Sequence, residues 1–505
     1  MRSSESEVPR VTRRSFLRQS AGATTGVAAG MTFGSTAALA ESSDRRGRRN
    51  PLLTARPGPF ASRQKLKRWN EYLAGLGPRH TGSPAETRFR RNLQEAMDRL
   101  GWDTSTRTQG FTSWEAQDFS LEVAAATSRV EKVRVAYYYP YSGRTPRVGI
   151  EGELAYAGKG GEADFAQGDF AGKIAVIDVP PFSIPIGIAF NTWDETPPGV
   201  DPTLPYDRAW IAAGPGLEAA TAAGAVGAII ILSQSPECAK GQYAPFGRAL
   251  QGIPALNVDA QAGKRVRALA QGGGTMARLT LTAKSAPGKV KPLLATLPGA
   301  SDEVIVVNTH TDGTNLIEEN GPLAMLSIAQ RLSARKRSER PATVAFYFAS
   351  GHFQDEVISS GAYVTDYPEL YERTKAGLTI EHLGCREYLD DHEREYVRTG
   401  RPEISGLFAS NRTLADLARP ALDKHGVTRC SVIQPVPRFF GEGRYLHEAG
   451  IPMLSYISGP NYLLAESSRK AQLKRFSLNR MQAEIKAMGT LLDQLAAIPR
   501  SGAPT

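Results

Sequence analysis

Val307-Asn308-Thr309-His310-Thr311-Asp312-Gly313 runs on through Glu318-Glu319-Asn320-Gly321 into Leu323-Ala324-Met325-Leu326, and the reading of this stretch decides the fold. An apolar strand hands a His-x-Asp to a loop, and an acidic pair then opens a helix. In α/β proteins that order sets polar side chains at the carboxyl edge of a sheet, where metal-assisted hydrolysis is carried out. The stretch therefore predicts a hydrolase-type site made of imidazole and carboxylate groups.

Downstream, apolar runs at 303–308, 343–349, 377–380 and 453–457 predict strands, with helices between them and a closing helix over 473–497. Upstream, helical spacing is read over 62–76. It is read again after Gly82-Ser83-Pro84, where Leu93, Met97 and Leu100 recur before Gly101. Strands alternating with helices of this length imply one sheet covered on both faces. Between 145 and 288 the texture changes. Gly172-Lys173-Ile174-Ala175-Val176 reads as a strand and 217–223 as a small-residue helix. Gly224-Ala225-Val226-Gly227 turns into an Ile-rich strand, and Ile253-Pro254-Ala255 opens another. No catalytic cluster lies inside this segment, so it reads as an inserted lid. The expected division is a signal over 1–40, a mobile polar leader over 41–60, a catalytic part over 61–144, the insert over 145–288 and a second catalytic part over 289–505.

Arg13-Arg14-Ser15-Phe16-Leu17-Arg18, a mildly apolar run from Ala21 to Leu39 and a terminal Ala38-Leu39-Ala40 read as a twin-arginine export signal, which places the protein outside the cytoplasm or in the cell envelope. No later apolar run reaches the length of a membrane span. The chain of 505 residues has a formal net charge of +10; the signal holds five Arg and two Glu, leaving about +7 on the remainder. The basic residues are dispersed and carry no aromatic interleaving, which argues against nucleic acid as a partner and leaves association with anionic cell-wall polymers open. Cys238, Cys385 and Cys430 are too few and too far apart for a disulfide scaffold, and fit either one bridge with a spare thiol or three buried thiols.

Pro78-Arg79-His80-Thr81-Gly82-Ser83-Pro84, Ser360-Gly361-Ala362-Tyr363-Val364 and Glu448-Ala449-Gly450-Ile451-Pro452 join the His-x-Asp stretch in a pattern that resembles the co-catalytic zinc aminopeptidase and carboxypeptidase family. The segment 145–288 resembles a protease-associated domain. The resemblance implies an α/β fold, a three-layer αβα zinc-exopeptidase-like domain with an inserted β-rich protease-associated domain. It further implies zinc, as one or two ions or none if the site is lost, and a peptide or small amide as substrate. Residue by residue it puts His310 on the first zinc ligand and Asp312 on the carboxylate that orients it. Glu319 falls on the bridging Asp, with Glu318 beside it as an alternative ligand, helix-start acid or catalytic group. Glu381 falls on a further Asp ligand, and by strand alternation His382 points away unless a loop turns it in.

Three departures from the family pattern stand out. The adjacent Glu pair is replaced around His352-Phe353-Gln354, the two Asp ligands are Glu, and the final His position falls on Gly443, with Glu442 or Arg444 at hand to fill the space. Arg cannot ligate a metal. The expected metal ligands are therefore His310, Glu319, Glu381 and Glu442, with His352, Asp312 and Glu318 in catalytic roles and His352 as base or substitute ligand. Two alternatives remain at this point: a catalytically silent peptide- or glycan-binding protein of the same fold, and a metal-independent hydrolase using a carboxylate with His352.

Overall fold

The computed structural model describes residues 50–124, 129–194, 196–211, 214–436 and 439–498. The expected export signal and the expected leader up to residue 49 lie outside them. Residues 50–60 were expected to be mobile and are instead packed. Leu52 and Ala55 are buried, the Asn50 side chain donates to the Asn92 carbonyl at 2.7 Å, and Trp69 Nε1 donates to the Pro51 carbonyl at 3.1 Å. The apolar Pro-Leu-Leu run anchors what the polar flank alone would have left in solvent.

The main sheet has eight strands: β1 (Asp103–Thr106), β2 (Leu293–Leu297), β3 (Val304–His310), β4 (Thr343–Ala349), β5 (Thr374–Ile380), β6 (Ser405–Ala409), β7 (Cys430–Ile433) and β8 (Met453–Ser458), in the order β1-β2-β4-β3-β5-β8-β6-β7. The four central neighbours β4, β3, β5 and β8 are parallel, so their carboxyl ends open at one edge. Every residue of β3 and β5 is buried, as strands covered on both faces require, and neither sequence alternates between apolar and polar residues.

One face carries the long helices α1 (Arg63–Gly75), α2 (Pro84–Arg99), α3 (Gly321–Ser333), α4 (Arg412–Lys424) and α5 (Leu478–Ala497) over a core that includes Trp69, Phe89, Leu326, Phe346 and Leu491. The other face carries shorter helices at Ala362–Asp366, Pro368–Tyr371 and Gly443–Glu448 over Tyr347, Tyr363 and Met453. The helix expected over 473–497 is two helices, Arg469–Arg475 and α5, because Ser477 caps the second with its side chain on the Arg480 amide.

A second sheet, also of eight strands, is built from 109–290. Its core strands Ile150–Tyr156, Ile174–Asp178, Gly227–Ile231 and Ala255–Val258 run parallel. It begins at Gln109, upstream of the boundary read between 144 and 145. The reason is a long antiparallel ribbon, Gln109–Ala124 against Met276–Val290, that carries the chain out of the main domain and back. β1 lies directly before that ribbon in sequence and its partner β2 directly after it. Strands Glu131–Val133 and Tyr137–Tyr138 likewise belong to the second sheet. All three cysteines are buried and unpaired. Among the described residues, no helix is long and apolar enough to cross a membrane.

Candidate metal centre

Four parallel strand ends lie along one edge of the main sheet. β3 ends in His310, the loop after β4 carries His352, the residues after β5 are Glu381 and His382, and β8 ends in Ser458. The loop after β3 returns with Glu318 and Glu319 just before α3, whose first amide, from Gly321, donates to Glu319 Oε1. An acid at a helix N-terminus meets both a free N–H and the positive end of the dipole, which holds Glu319 where it is.

Each of three imidazoles is fixed through Nδ1 so that Nε2 turns inward. His310 Nδ1 lies 2.8 Å from the Asp312 carbonyl and 3.3 Å from its Oδ1. His382 Nδ1 lies 2.7 Å from the Ser458 carbonyl, and His352 Nδ1 2.7 Å from Glu442 Oε1. Asp312 is in turn held by the Thr81 hydroxyl at 2.6 Å and the Gly351 amide at 3.1 Å. Such outer partners set the tautomer and the ring plane of a metal-binding histidine.

Opposite the Nε2 atoms stand carboxylates. His310 Nε2 is 3.1 Å from Glu319 Oε2 and 3.6 Å from Glu381 Oε1. His382 Nε2 is 3.9 Å from Glu319 Oε2 and 4.0 Å from Glu318 Oε2. His352 Nε2 is 4.0 Å from Glu318 Oε1, and its ring stacks on His310 with centroids 4.1 Å apart. His310, Glu318, Glu319, Glu381 and His382 are buried, while the His352 side chain keeps 17% of its surface.

The electrostatics follow from crowding acids out of water. Burial pushes Glu318 and Glu381 well above the usual carboxylate range, and each is raised further by Glu319. Burial also raises Glu319, against the opposing pull of His310. Burial works against a charged His310, but Glu319 and Asp312 outweigh it and hold its proton well above the ordinary imidazole value. Burial and the neighbouring His310 push His382 down to about 3, so it is neutral with a free lone pair. Burial opposes ionisation of Glu442, yet its hydrogen bond to His352 prevails and keeps it a carboxylate.

The residues fit a metal ion. His310 Nε2, Glu318 Oε2, Glu319 Oε2 and His382 Nε2 are all buried without a hydrogen-bond partner, and unpaired polar atoms that face one another out of water are costly unless something joins them. His310, Glu319, Glu381 and His382 each offer one atom within 4.8 Å of the others, and His310, Glu318 and His352 form a second such group. Donors about 2.0–2.2 Å from a tetrahedral zinc stand roughly 3.3–3.6 Å apart, a range that the separations of 3.1, 3.6 and 3.9 Å straddle. A cation would also replace the proton that the acids impose on His310.

Comparison with protein-family models and with curated proteins finds no match. Solved structures do match. An aminopeptidase from Aneurinibacillus sp. strain AM-1 is 16% identical over 88% of this chain and 96% of its own, with a TM-score of 0.57. BSAP, a zinc aminopeptidase from Bacillus subtilis, is 18% identical over 88% and 98%, with a TM-score of 0.59. A peptidase precursor from Shewanella amazonensis is 15% identical over 86% and 97%, with a TM-score of 0.60. This chain has a zinc-exopeptidase-like fold. Spans of that size cannot be met by the main-sheet domain alone, so the likeness reaches into the second sheet.

Within that fold the chain places His310, Glu319 and Glu381 together as the sequence grouped them, with Asp312 behind His310 and with Glu318 and His352 alongside. Glu442 is different. Both its oxygens are engaged, Oε1 by His352 and Oε2 by the Ser359 hydroxyl at 2.8 Å and the Ser360 amide at 3.0 Å, and it belongs to neither donor group. It supports His352 instead, and its backbone amide donates to Glu381 at 3.1 Å.

Gly443, where the family's last histidine would fall, has no room for a side chain: a Cβ there would lie 2.6 Å from Thr379 Oγ1 and 2.8 Å from Ser455. The inward histidine comes from His382. β5 ends at Ile380, and His382 adopts φ 54°, outside the pleat, which turns its ring toward Glu318 and Glu319. Arg79 was read only as part of an opening turn. It is fully buried, with burial lowering it to about 10, and it staples the site loop through the carbonyls of Thr311, Asn315 and Glu319 at 3.1–3.3 Å.

Proposed function

We propose that this chain is an exported, metal-dependent hydrolase that acts on peptide or amide termini. The reading rests on the convergence of four partnerless buried donor atoms, two imidazole and two carboxylate, at the carboxyl edge of a zinc-exopeptidase-like sheet. His310, Glu319, Glu381 and His382 would hold the ion; the group His310, Glu318 and His352 shares His310 Nε2, already the donor to that ion, and leaves His352 free to act as a base. Zinc bound there supplies Lewis acidity toward the scissile carbonyl and the attacking water.

The chain's own residues do the rest. His352 is the one partly exposed imidazole of the group, and its Nε2 takes the proton from the attacking water. Glu442, bonded to Nδ1, holds the ring and stabilises the resulting imidazolium, a base–orienter pair like that of other hydrolases. Glu318, 4.0 Å from Nε2, lies close enough to share a proton through one intervening atom.

The second sheet, proposed as a protease-associated lid, shapes access. Phe246 sits 5.2 Å from both His352 and Phe353, and Tyr243 packs 5.5 Å from Phe353. Arg13-Arg14-Ser15-Phe16-Leu17-Arg18 and Ala38-Leu39-Ala40 support export by the twin-arginine route.

The test is metal content and hydrolysis measured together on protein prepared without affinity tags. One zinc per chain is expected, with turnover of aminoacyl anilides or short peptides. His310→Ala should lose both zinc and at least roughly 10³-fold of the turnover, as removal of several kcal/mol of Lewis-acid stabilisation predicts. A His310→Ala protein that keeps its full zinc and activity sinks the reading.

A further inference from the structure

The inserted domain touches the metal centre from behind as well as from above. Its segment 206–210 lies against the turn that follows β8, and two side chains grip the same atom. Tyr206 Oη and Trp210 Nε1 each donate to the Gly459 carbonyl at 3.1 Å. Between them the Ala209 amide donates to Asn461 Oδ1 at 2.8 Å, and Arg208 is anchored on Glu403 at 2.6 Å. The approach is close enough to require glycine at 459, where a Cβ would meet Trp210 at 2.6 Å and the Tyr206 hydroxyl at 2.9 Å.

The residue before Gly459 is Ser458, whose carbonyl accepts the hydrogen bond from His382 Nδ1. A carbonyl can only accept, so this contact requires the proton on Nδ1 and leaves the lone pair on Nε2, the atom that faces Glu318 and Glu319. Glycine tolerates many backbone conformations. An unrestrained Gly459 would let the Ser458 peptide plane rotate and would release the imidazole, whose own backbone sits at φ 54°.

We infer that Tyr206 and Trp210 are positioning residues for the metal centre: by pinning the Gly459 carbonyl they fix the Ser458 carbonyl, and with it the tautomer and aim of His382. The inference rests on the proposed metal binding by His382. The insert is thereby a structural part of the centre as well as its cover, and its docking sets how tightly the ion is held.

The experiment compares zinc affinity, by chelator competition, in the full-length metal-free protein and its variants. Tyr206→Phe and Trp210→Phe remove one donor each and keep an aromatic side chain, and the double variant removes both. Trp193→Phe is the control. It deletes an equivalent indole bond from the same insert to the main sheet, Trp193 Nε1 to the Ala409 carbonyl at 3.2 Å, at a strand end that does not reach His382. The double variant is expected to bind zinc about tenfold more weakly, at the lower end of what loss of an outer partner does to a metal-binding imidazole, while Trp193→Phe leaves affinity unchanged.

Nitrogen NMR of histidine-labelled, metal-free protein gives a readout that a purely structural role would not move. The Nδ1–H signal of His382, assigned by its loss in His382→Gln, should broaden or vanish in the double variant alone. If the wild type takes up no zinc, the underlying metal-centre reading fails and the inference with it. If the wild type binds and the double variant matches Trp193→Phe in affinity with its tautomer intact, the inference alone is overturned. Should the double variant not fold, Tyr206→Phe, which keeps the ring against Phe190 and under Arg208, decides by the same two measurements.

Discussion

Around Arg208, two buried guanidinium groups meet two buried carboxylates: Arg208 lies 2.6 Å from Glu403 and 3.8 Å from Glu387, and Arg429 lies 2.7 Å from Glu387. Around His310, by contrast, three equally buried carboxylates, Glu318, Glu319 and Glu381, face imidazoles of which His382 is held neutral. The first cluster balances its charge from within the chain and ties the segment around Arg208 to the hairpin Arg386–Asp390 with Tyr396–Pro402. The second leaves acids and lone pairs aimed at a common space. Buried charge is tolerated when it is paired or when it coordinates a metal. The first cluster shows the pairing solution, and the second carries the donor set that the other solution needs.

If that difference is real, removing a charge should act with opposite sign at the two places. Arg208→Ala should destabilise the protein by about 3–5 kcal/mol, because Glu403 is left buried without its cation; equilibrium denaturation measures it, and a change below about 1 kcal/mol would erase the distinction. Zinc should act only on the His310 cluster, stabilising the wild type by about 2.7 kcal/mol at a free concentration a hundredfold above its dissociation constant. Thermal unfolding with and without chelator checks this, and the same increment in His310→Ala would contradict it. The smallest effect is expected from Glu318→Gln, which should stabilise the metal-free protein by roughly 1 kcal/mol by removing one of several crowded acids. Destabilisation of the metal-free form would mean that those acids are already compensated.

Much of this was legible in the chain. The apolar runs ending in His310, Ala349 and Ile380 announce parallel strands buried on both faces, and the residues just beyond them are the ones that converge. His382 and Glu442 were harder to place. Alternation along β5 points His382 away from Glu381, and only the left-handed backbone at that residue turns it in. Glu442 has the chemistry of a ligand, and nothing in its sequence neighbourhood reveals that Ser359, Ser360 and His352 occupy its oxygens. The start of the second sheet was not legible for a related reason: 109–124 pairs with 276–290, a contact made across some 150 intervening residues, whereas periodicity reports only on near neighbours.

The sequence by itself determined the α/β layering and the strand ends that carry the acids and imidazoles, because apolar period and turn residues act over a few residues at a time. Only the tertiary structure decided which of those side chains meet, which nitrogen of each ring faces inward, and that Tyr206 and Trp210 stand behind the metal centre. Those outcomes depend on distances and hydrogen-bond partners between segments remote in the chain, and such quantities exist only once the backbone has closed on itself.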